Sequence, residues 1–222
     1  SDCVKQTRRF SINTTYICVM SNRNENQRKV AEFLLQIQAV QLSPSQPFTW
    51  ASGRRSPIYC DNRRILSFPE IRTTIRKIAT EAIVERYGKP EAIAGVATGG
   101  IAIGALIAEE LGIPFIYVRA SAKAHGTGQR IEGAYSDLSS VFVIEDLIST
   151  GKSSLSAVDA IREAGLEVSG LMAFFTYGFS DAVARFEEKN CSFFTLTDYP
   201  TMLEVAVKSN YITEDQKSEL DG

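Results

Sequence analysis

The sequence is short of the residues that bind metals or cross-link chains, with one histidine and four cysteines in 222 residues. Cys3, Cys18, Cys60 and Cys191 are scattered and form no C-x-x-C pair. A disulfide framework and a Cys/His zinc site are therefore poor readings, and a reduced, cytoplasmic setting is expected. No run of about 18 apolar residues occurs, so no membrane span is expected. Positive charge is not in excess, since 24 Lys+Arg stand against 26 Asp+Glu for a formal net charge of -2. That balance argues against a broad nucleic-acid surface, which needs cations to meet the phosphate backbone. It leaves room for a local cationic cluster facing one small phosphorylated ligand. Internal repeats are absent, as is any linker long enough to divide the chain.

What is present is an ordinary globular composition, 44% hydrophobic, 9% aromatic and 23% charged. Such a chain fits one large domain, or one domain with a small appendage. Residues 1–20 carry a basic stretch followed by apolar residues that Asn13, Thr14 and Thr15 interrupt. With no small-residue cleavage site following, they are expected to be a disordered leader, with the natural start at Met20. Residues 21–68 are expected to form an N-terminal helix and a hood, and residues 69–215 the core.

Helical spacing of Val30, Phe33, Leu34, Ile37 and Val40 predicts a helix over residues 24–40. A turn-rich stretch with three prolines and the only tryptophan follows at 42–63. Ile71, Ile75, Ile78, Ile83 and Val84 predict a second helix over 70–87, closed by Gly88-Lys89-Pro90. From there apolar strands over 92–97, 114–119, 140–145, 168–177 and 192–197 alternate with helices over 101–112, 153–164, 180–189 and from 200 onward. Residues 120–134 read as a polar, glycine-bearing loop. The alternation predicts an α/β fold, a mainly parallel sheet flanked by helices on both faces. In such sheets ligands bind beyond the carboxyl ends of the strands.

Three segments converge on that edge. In VFVIEDLISTGKSS (141–154) an apolar strand gives way to two adjacent carboxylates, Glu145 and Asp146, and then to a small-residue turn opening a helix. Unpaired N–H groups at a helix start, with hydroxyls beside them, cradle a phosphate monoester. The carboxylates would repel a phosphate but suit the cis-diol of a ribose or a Mg²⁺ ion, so the combination reads as a site for a phosphorylated sugar. T-G-K-S resembles the end of a Walker A loop, but that motif needs glycine at position 146, where this chain has Asp146. In GVATGGIAIG (95–104) Thr98, Gly99 and Gly100 make a second small-residue turn between strand and helix. In VRASAKAHGTGQRIEG (118–133) Arg119, Lys123, His125 and Arg130 share one glycine-bearing stretch, which reads as a lid closing over a charged ligand.

IEDLISTGKSS resembles the phosphoribosyl-pyrophosphate (PRPP) signature of type I phosphoribosyltransferases. R-x-x-x-K-x-H-G-x-G at 119–128 is similar to the mobile loop of the orotate phosphoribosyltransferases, and FTWASGRRSPIYCDNR (48–63) to their orotate-side segment. All four segments stand in family order, so the resemblance covers roughly residues 25–210. It implies the type I fold with a small N-terminal hood, and transfer of a 5-phosphoribosyl group from PRPP to orotate. It further implies that Arg119, Lys123 and His125 meet the pyrophosphate, as do the backbone amides of Thr98, Gly99 and Gly100. Glu145 and Asp146 would hold the ribose, Leu147, Ile148, Ser149, Thr150, Gly151, Lys152 and Ser153 would cradle the 5′-phosphate, and Ser149, Tyr59 and Cys60 would reach the orotate. Mg²⁺ is implied as a cofactor carried by PRPP without a dedicated cage, and a homodimer whose loops reach the neighbouring active site. Relatives carry lysines where this chain has Ala51, Gly99 and Ala120. A purine phosphoribosyltransferase and a nucleotide-sensing regulator on the same fold are the alternatives.

Overall fold

The computed structural model describes residues 23–49, 53, 55–121 and 129–220. The leader expected at 1–20, Ala51, and Lys123 and His125 of the predicted lid lie outside these residues.

The first helix, α1, covers residues 23–36. It stops sooner than the apolar spacing predicts because Gln38 turns left-handed at φ 56° and the Ala39 N–H closes onto Leu34 O at 2.9 Å. Val40 is buried all the same, as the start of strand β1 (Val40–Leu42). After it come β2 (Phe48–Thr49), β3 (Arg55–Ser56) and β4 (Ile58–Cys60). β1 pairs antiparallel with β4, and β2 with β3. The turn-rich stretch thus folds as two small ladders, here termed the hood. A 3-10 helix (Asn62–Ser67) leads into α2 (Pro69–Tyr87), where Pro69 at the first turn gives up an N–H that has no helical partner anyway.

The core follows as β5 (Ile93–Val96), α3 (Gly99–Leu111), β6 (Phe115–Val118), β7 (Ile131–Glu132), β8 (Ser140–Ile148), α4 (Lys152–Glu163), β9 (Glu167–Thr176), α5 (Ser180–Glu188), β10 (Phe193–Asp198), α6 (Tyr199–Lys208) and α7 (Glu214–Leu220). The six-stranded sheet has the order β10-β9-β8-β5-β6-β7. Every neighbouring pair is parallel except β6 with β7. Strand β7 is a difference from the sequence reading, which leaves 120–134 as loop; Tyr117 and Val118 recruit Glu132 and Ile131 as an edge partner.

Alternate residues of β8 feed two apolar layers. Phe142 and Ile144 join Ile75, Ile103, Ile107 and Met202 on one face, while Val141 and Val143 join Leu155, Val158, Ile161 and Phe186 on the other. All are essentially inaccessible to water, and each such side chain contributes about 1.5–3 kcal/mol on burial. This double burial is why the strands read as continuous apolar runs rather than alternating ones. Among the described residues no helix is long and apolar enough to cross a membrane.

Two features of this core create the site. Strand β5 has β6 on one side and β8 on the other, so strand order reverses there and leaves a crevice at the carboxyl ends of β5 and β8. The turn into α3 then packs against β8 with no room for side chains. A Cβ on Gly100 would land on the Ile144 carbonyl oxygen, and one on Gly95 would lie 2.7 Å from the Gly100 oxygen. Gly100→Ala should therefore destabilise the fold by about 1–3 kcal/mol through overpacking, measurable by urea denaturation. An unchanged midpoint would show that α3 can shift away from β8 at no cost.

Candidate active site

Strand β8 runs through Ile148, three residues beyond the strand predicted at 140–145, because Leu147 and Ile148 find partners in Phe175 and Thr176 of β9. Glu145 and Asp146 thus sit within a rigid strand rather than in a turn after it. Glu145 is 4% exposed. Its Oε1 accepts from the Asp146 N–H at 3.1 Å, and its Oε2 accepts from the hydroxyls of Ser153 and Ser154 at 3.2 and 3.1 Å. Burial, and secondly the charge of Asp146, push the Glu145 carboxyl up to about 8. Burial also raises Asp146, while the Glu145 hydrogen bond and the Arg63 guanidinium act the other way. Two desolvated carboxylates side by side stabilise a shared proton, or positive charge placed between them.

Two helix starts flank this pair. At α3 the Asp146 carboxylate lies where a side chain on Gly99 would project, and no side chain caps the helix. The Ala97–Thr98 peptide bond is cis. At α4 the cap is Gly151, left-handed at φ 76° and likewise without a side-chain cap. A Cβ there would lie 2.9 Å from the Phe186 ring, so both conformation and space require glycine. Arg185 donates to Thr150 O at 2.8 Å, bracing the same turn from α5. Uncapped helix starts present N–H groups and a positive dipole end to an anion. Of the residues expected in the phosphate cradle, Leu147 and Ile148 belong to the sheet, and Ile148 is buried in the core. The unpaired turn begins at Ser149, with Thr150, Lys152 and Ser153 exposed.

The hood reaches the pair through a residue that the sequence reading does not single out. Asn62 is 3% exposed, and its Nδ2 donates to Asp146 O at 2.7 Å, while its Oδ1 accepts from Cys60 Sγ at 3.3 Å. Burial, with the negative charges of Asp146 and Asp61, raises the Cys60 thiol well above its ordinary range, which removes it as a nucleophile. Tyr59 stands exposed on the hood, its ring 5.8 Å from that of Phe48.

On the opposite side, Ala97 N–H donates to Val118 O at 2.8 Å, setting Arg119 beside the glycine turn. Arg119 pairs with Glu132 at 3.4 Å. Arg130 is spent on backbone: Nε donates to Arg119 O at 3.0 Å and Nη1 to Ser156 O at 3.1 Å, while Arg119 N–H donates to Arg130 O at 2.9 Å. The two ends of the predicted lid are thereby clamped together at the cleft. The fold brings Thr98–Gly100, Glu145, Asp146, Ser149–Ser153 and the Tyr59–Cys60 hood around one crevice, with Arg119 at its edge. The arrangement suits a phosphorylated sugar, with anion sites at two helix starts and carboxylates between them.

The Phosphoribosyl transferase domain family matches residues 61–198 of this chain. An orotate phosphoribosyltransferase of Phocaeicola vulgatus is 51% identical over 191 residues, covering 86% of this chain and 90% of that one. Among solved structures, Leishmania donovani UMP synthase superposes with a TM-score of 0.75 at 30% identity, over 88% of this chain and only 41% of that longer one. Orotate phosphoribosyltransferase from Aeropyrum pernix gives a TM-score of 0.72 at 28% identity, over 82% of this chain and 99% of that one.

The raised Glu145 carboxyl sets a pH dependence. The folded chain holds this proton more tightly than the unfolded chain. The stability it confers is therefore complete below the ordinary carboxylate range and is lost as pH rises through about 8. Melting of the wild type should fall more steeply between about pH 5 and about pH 9 than melting of Glu145→Gln, whose amide does not titrate. Parallel profiles for the two proteins would show that Glu145 is already ionised in the fold.

Proposed function

The chain belongs to the orotate phosphoribosyltransferases, a branch of the type I phosphoribosyltransferase family, and from that premise we propose how its residues divide the reaction between them. The activity is transfer of the 5-phosphoribosyl group from PRPP to N1 of orotate, giving orotidine 5′-monophosphate and pyrophosphate, in pyrimidine biosynthesis. The C1–oxygen bond to pyrophosphate breaks as the C1–N1 bond forms, through a sugar with oxocarbenium character. Little covalent chemistry falls to the protein, so positioning and charge carry catalysis.

The observation that supports this reading best is the pair Glu145–Asp146 lying between two uncapped helix starts. The carboxylates hold the ribose hydroxyls and stabilise the cationic sugar. The turn Ser149–Ser153 at the start of α4 takes the 5′-phosphate, with Ile148 and Leu147 anchoring it from the sheet. Thr98, Gly99 and Gly100 at the start of α3 take the pyrophosphate together with Arg119, Lys123 and His125. Asp146 rests over Gly99, so a pyrophosphate at this helix start lies beside its carboxylate. Tyr59, Cys60 and Ser149 face the orotate.

Both acidic groups are hard oxygen donors suited to Mg²⁺, and among the described residues no cluster of three or more acidic, His or Cys groups is placed to hold a metal. Mg²⁺ brought with PRPP would meet Glu145 and Asp146 and would lower the charge of the leaving pyrophosphate. Incubation with PRPP and Mg²⁺ and, in turn, orotate, adenine, hypoxanthine and uracil tests the assignment. Consumption of orotate alone is expected; turnover of a purine in its place would refute it.

The lid is proposed to act on the neighbouring subunit of a homodimer. Its lysine carries unusual weight because Ala51, Gly99 and Ala120 stand where relatives have lysines. Lys123→Ala should lower turnover by roughly 10²–10³, with a smaller effect on PRPP binding. Mixing inactive Lys123→Ala subunits with inactive Asp146→Asn subunits should restore about a quarter of wild-type activity, since half of the dimers are mixed and each has one intact site. Subunits that exchange, as shown by mass, yet remain inactive would place the lid over its own site.

A further inference from the structure

Orotate differs from uracil by the carboxylate on C6, and a cleft that selects it must meet that charge. Neither Tyr59 nor Cys60 carries a positive charge, and the buried acidic pair beside them makes this side of the cleft more hostile to an anion. We infer that Arg63 receives the orotate carboxylate through its two Nη groups, while Asp61 holds the guanidinium in place through Nε. The inference rests on the orotate reading above and adds the cation that this reading lacks.

Arg63 follows Asn62, the residue that ties the hood to the Asp146 carbonyl at 2.7 Å. It is therefore fixed at the mouth of the crevice by its own backbone. Asp61 Oδ1 accepts from the Arg63 N–H at 3.3 Å and from its Nε at 2.7 Å, so one carboxylate holds both the main chain and the side chain of this residue. The side chain is 58% exposed, and its Nη groups have no partner among the described residues. A guanidinium held on its Nε edge keeps its terminal edge free, and that edge matches a carboxylate with two parallel hydrogen bonds. Electrostatics place the group: the Arg63 charge draws the Asp146 carboxyl down, and Arg63 itself is stabilised by Asp61 first, then by Asp146 and Tyr59. Arg63 thus lies within electrostatic reach of both the ribose carboxylate and the hood aromatic.

Several nearby arginines among the described residues are committed elsewhere. Arg64 donates to Ile37 O at 2.8 Å and Arg72 to Leu66 O at 2.7 Å. Arg119 faces Glu132, and Arg130 and Arg185 hold carbonyls. Arg55, on β3 of the hood, is exposed and serves as the comparison.

The test compares orotate with its neutral carboxamide. KM is measured for orotate and PRPP, and the inhibition constant for the carboxamide, in wild type, Arg63→Ala, Arg63→Lys and Arg55→Ala, with thermal melting to confirm folding. Arg63→Ala should raise the KM for orotate by roughly 10²-fold. It should leave the KM for PRPP and the affinity for the carboxamide within about two- to threefold, and Arg63→Lys should recover part of the loss. Asp61→Asn, which frees the guanidinium without removing it, should give a smaller rise and covers the case of an unfolded Arg63→Ala. If Arg63→Ala keeps the preference for the carboxylate, or if Arg55→Ala abolishes it, the assignment of Arg63 is overturned while the reaction stands. A wild type that ignores orotate overturns the functional reading itself.

Discussion

Everything at the cleft depends on how closely the start of α3 approaches the end of β8. Gly99 and Gly100 leave no side chain between them, and the Ile144 carbonyl and the Asp146 carboxylate fill the space instead. The consequence is electrostatic as much as steric. With α3 pressed against the strand, Glu145 is cut off from solvent, and its remaining partners are two serine hydroxyls and a backbone N–H. That shell solvates one carboxylate poorly, and a second lies on the next residue. The pair therefore holds a proton that ordinary carboxylates release, and it carries an unmet demand for positive charge. Packing thus prepares the site for a ligand that is cationic at its centre.

Much of this was legible in the sequence, because the residues concerned break the local pattern. Adjacent carboxylates after four apolar residues, and paired glycines after another apolar run, cannot be explained by the sheet alone, so both mark the crevice. The parallel sheet showed in runs buried on both faces. What escaped was decided by partners distant in sequence. Polar Glu145 and Asp146 look like the end of a strand, but β9 extends the ladder to Ile148 and so makes the pair rigid. Asn62 lies in no periodic segment, and its role arises from one contact with a residue 84 positions away. Arg130 appears as one more cation in a basic lid, yet its neighbours are carbonyl oxygens that turn it into a clamp. The left-handed Gln38 leaves no signal in hydrophobic spacing, so the first helix seemed to run through Val40.

The brace on the turn before α4 follows the same logic from the other face of the sheet. Gly151 can take its left-handed geometry over the Phe186 ring only because it has no Cβ, and Arg185, one residue earlier on α5, draws the Thr150 carbonyl toward the helix surface. A carbonyl held away from a turn cannot oppose an anion bound in it. The packing of α5 thus fixes the direction in which the turn presents its N–H groups, and a small-residue loop that would otherwise have many conformations keeps few of them.

These local arrangements give the cleft an alternating pattern of charge. Its centre is acidic and dry, and its flanks are helix starts with basic residues beyond them, Arg63 on the hood side and Arg119 at the foot of the lid. On the proposed reading the reacting molecules carry the opposite pattern, with phosphate at one end, pyrophosphate at the other, a carboxylate on the base and positive charge growing on the ribose between them. Complementarity to that distribution is greatest when the sugar is most cationic, which is the transition state rather than either substrate. An acidic pair exposed to water would lose this advantage, because solvent would screen it equally at every stage of the reaction. On that reading Gly100, by letting α3 close on the Ile144 carbonyl of β8, contributes to rate by keeping the centre of the cleft dry.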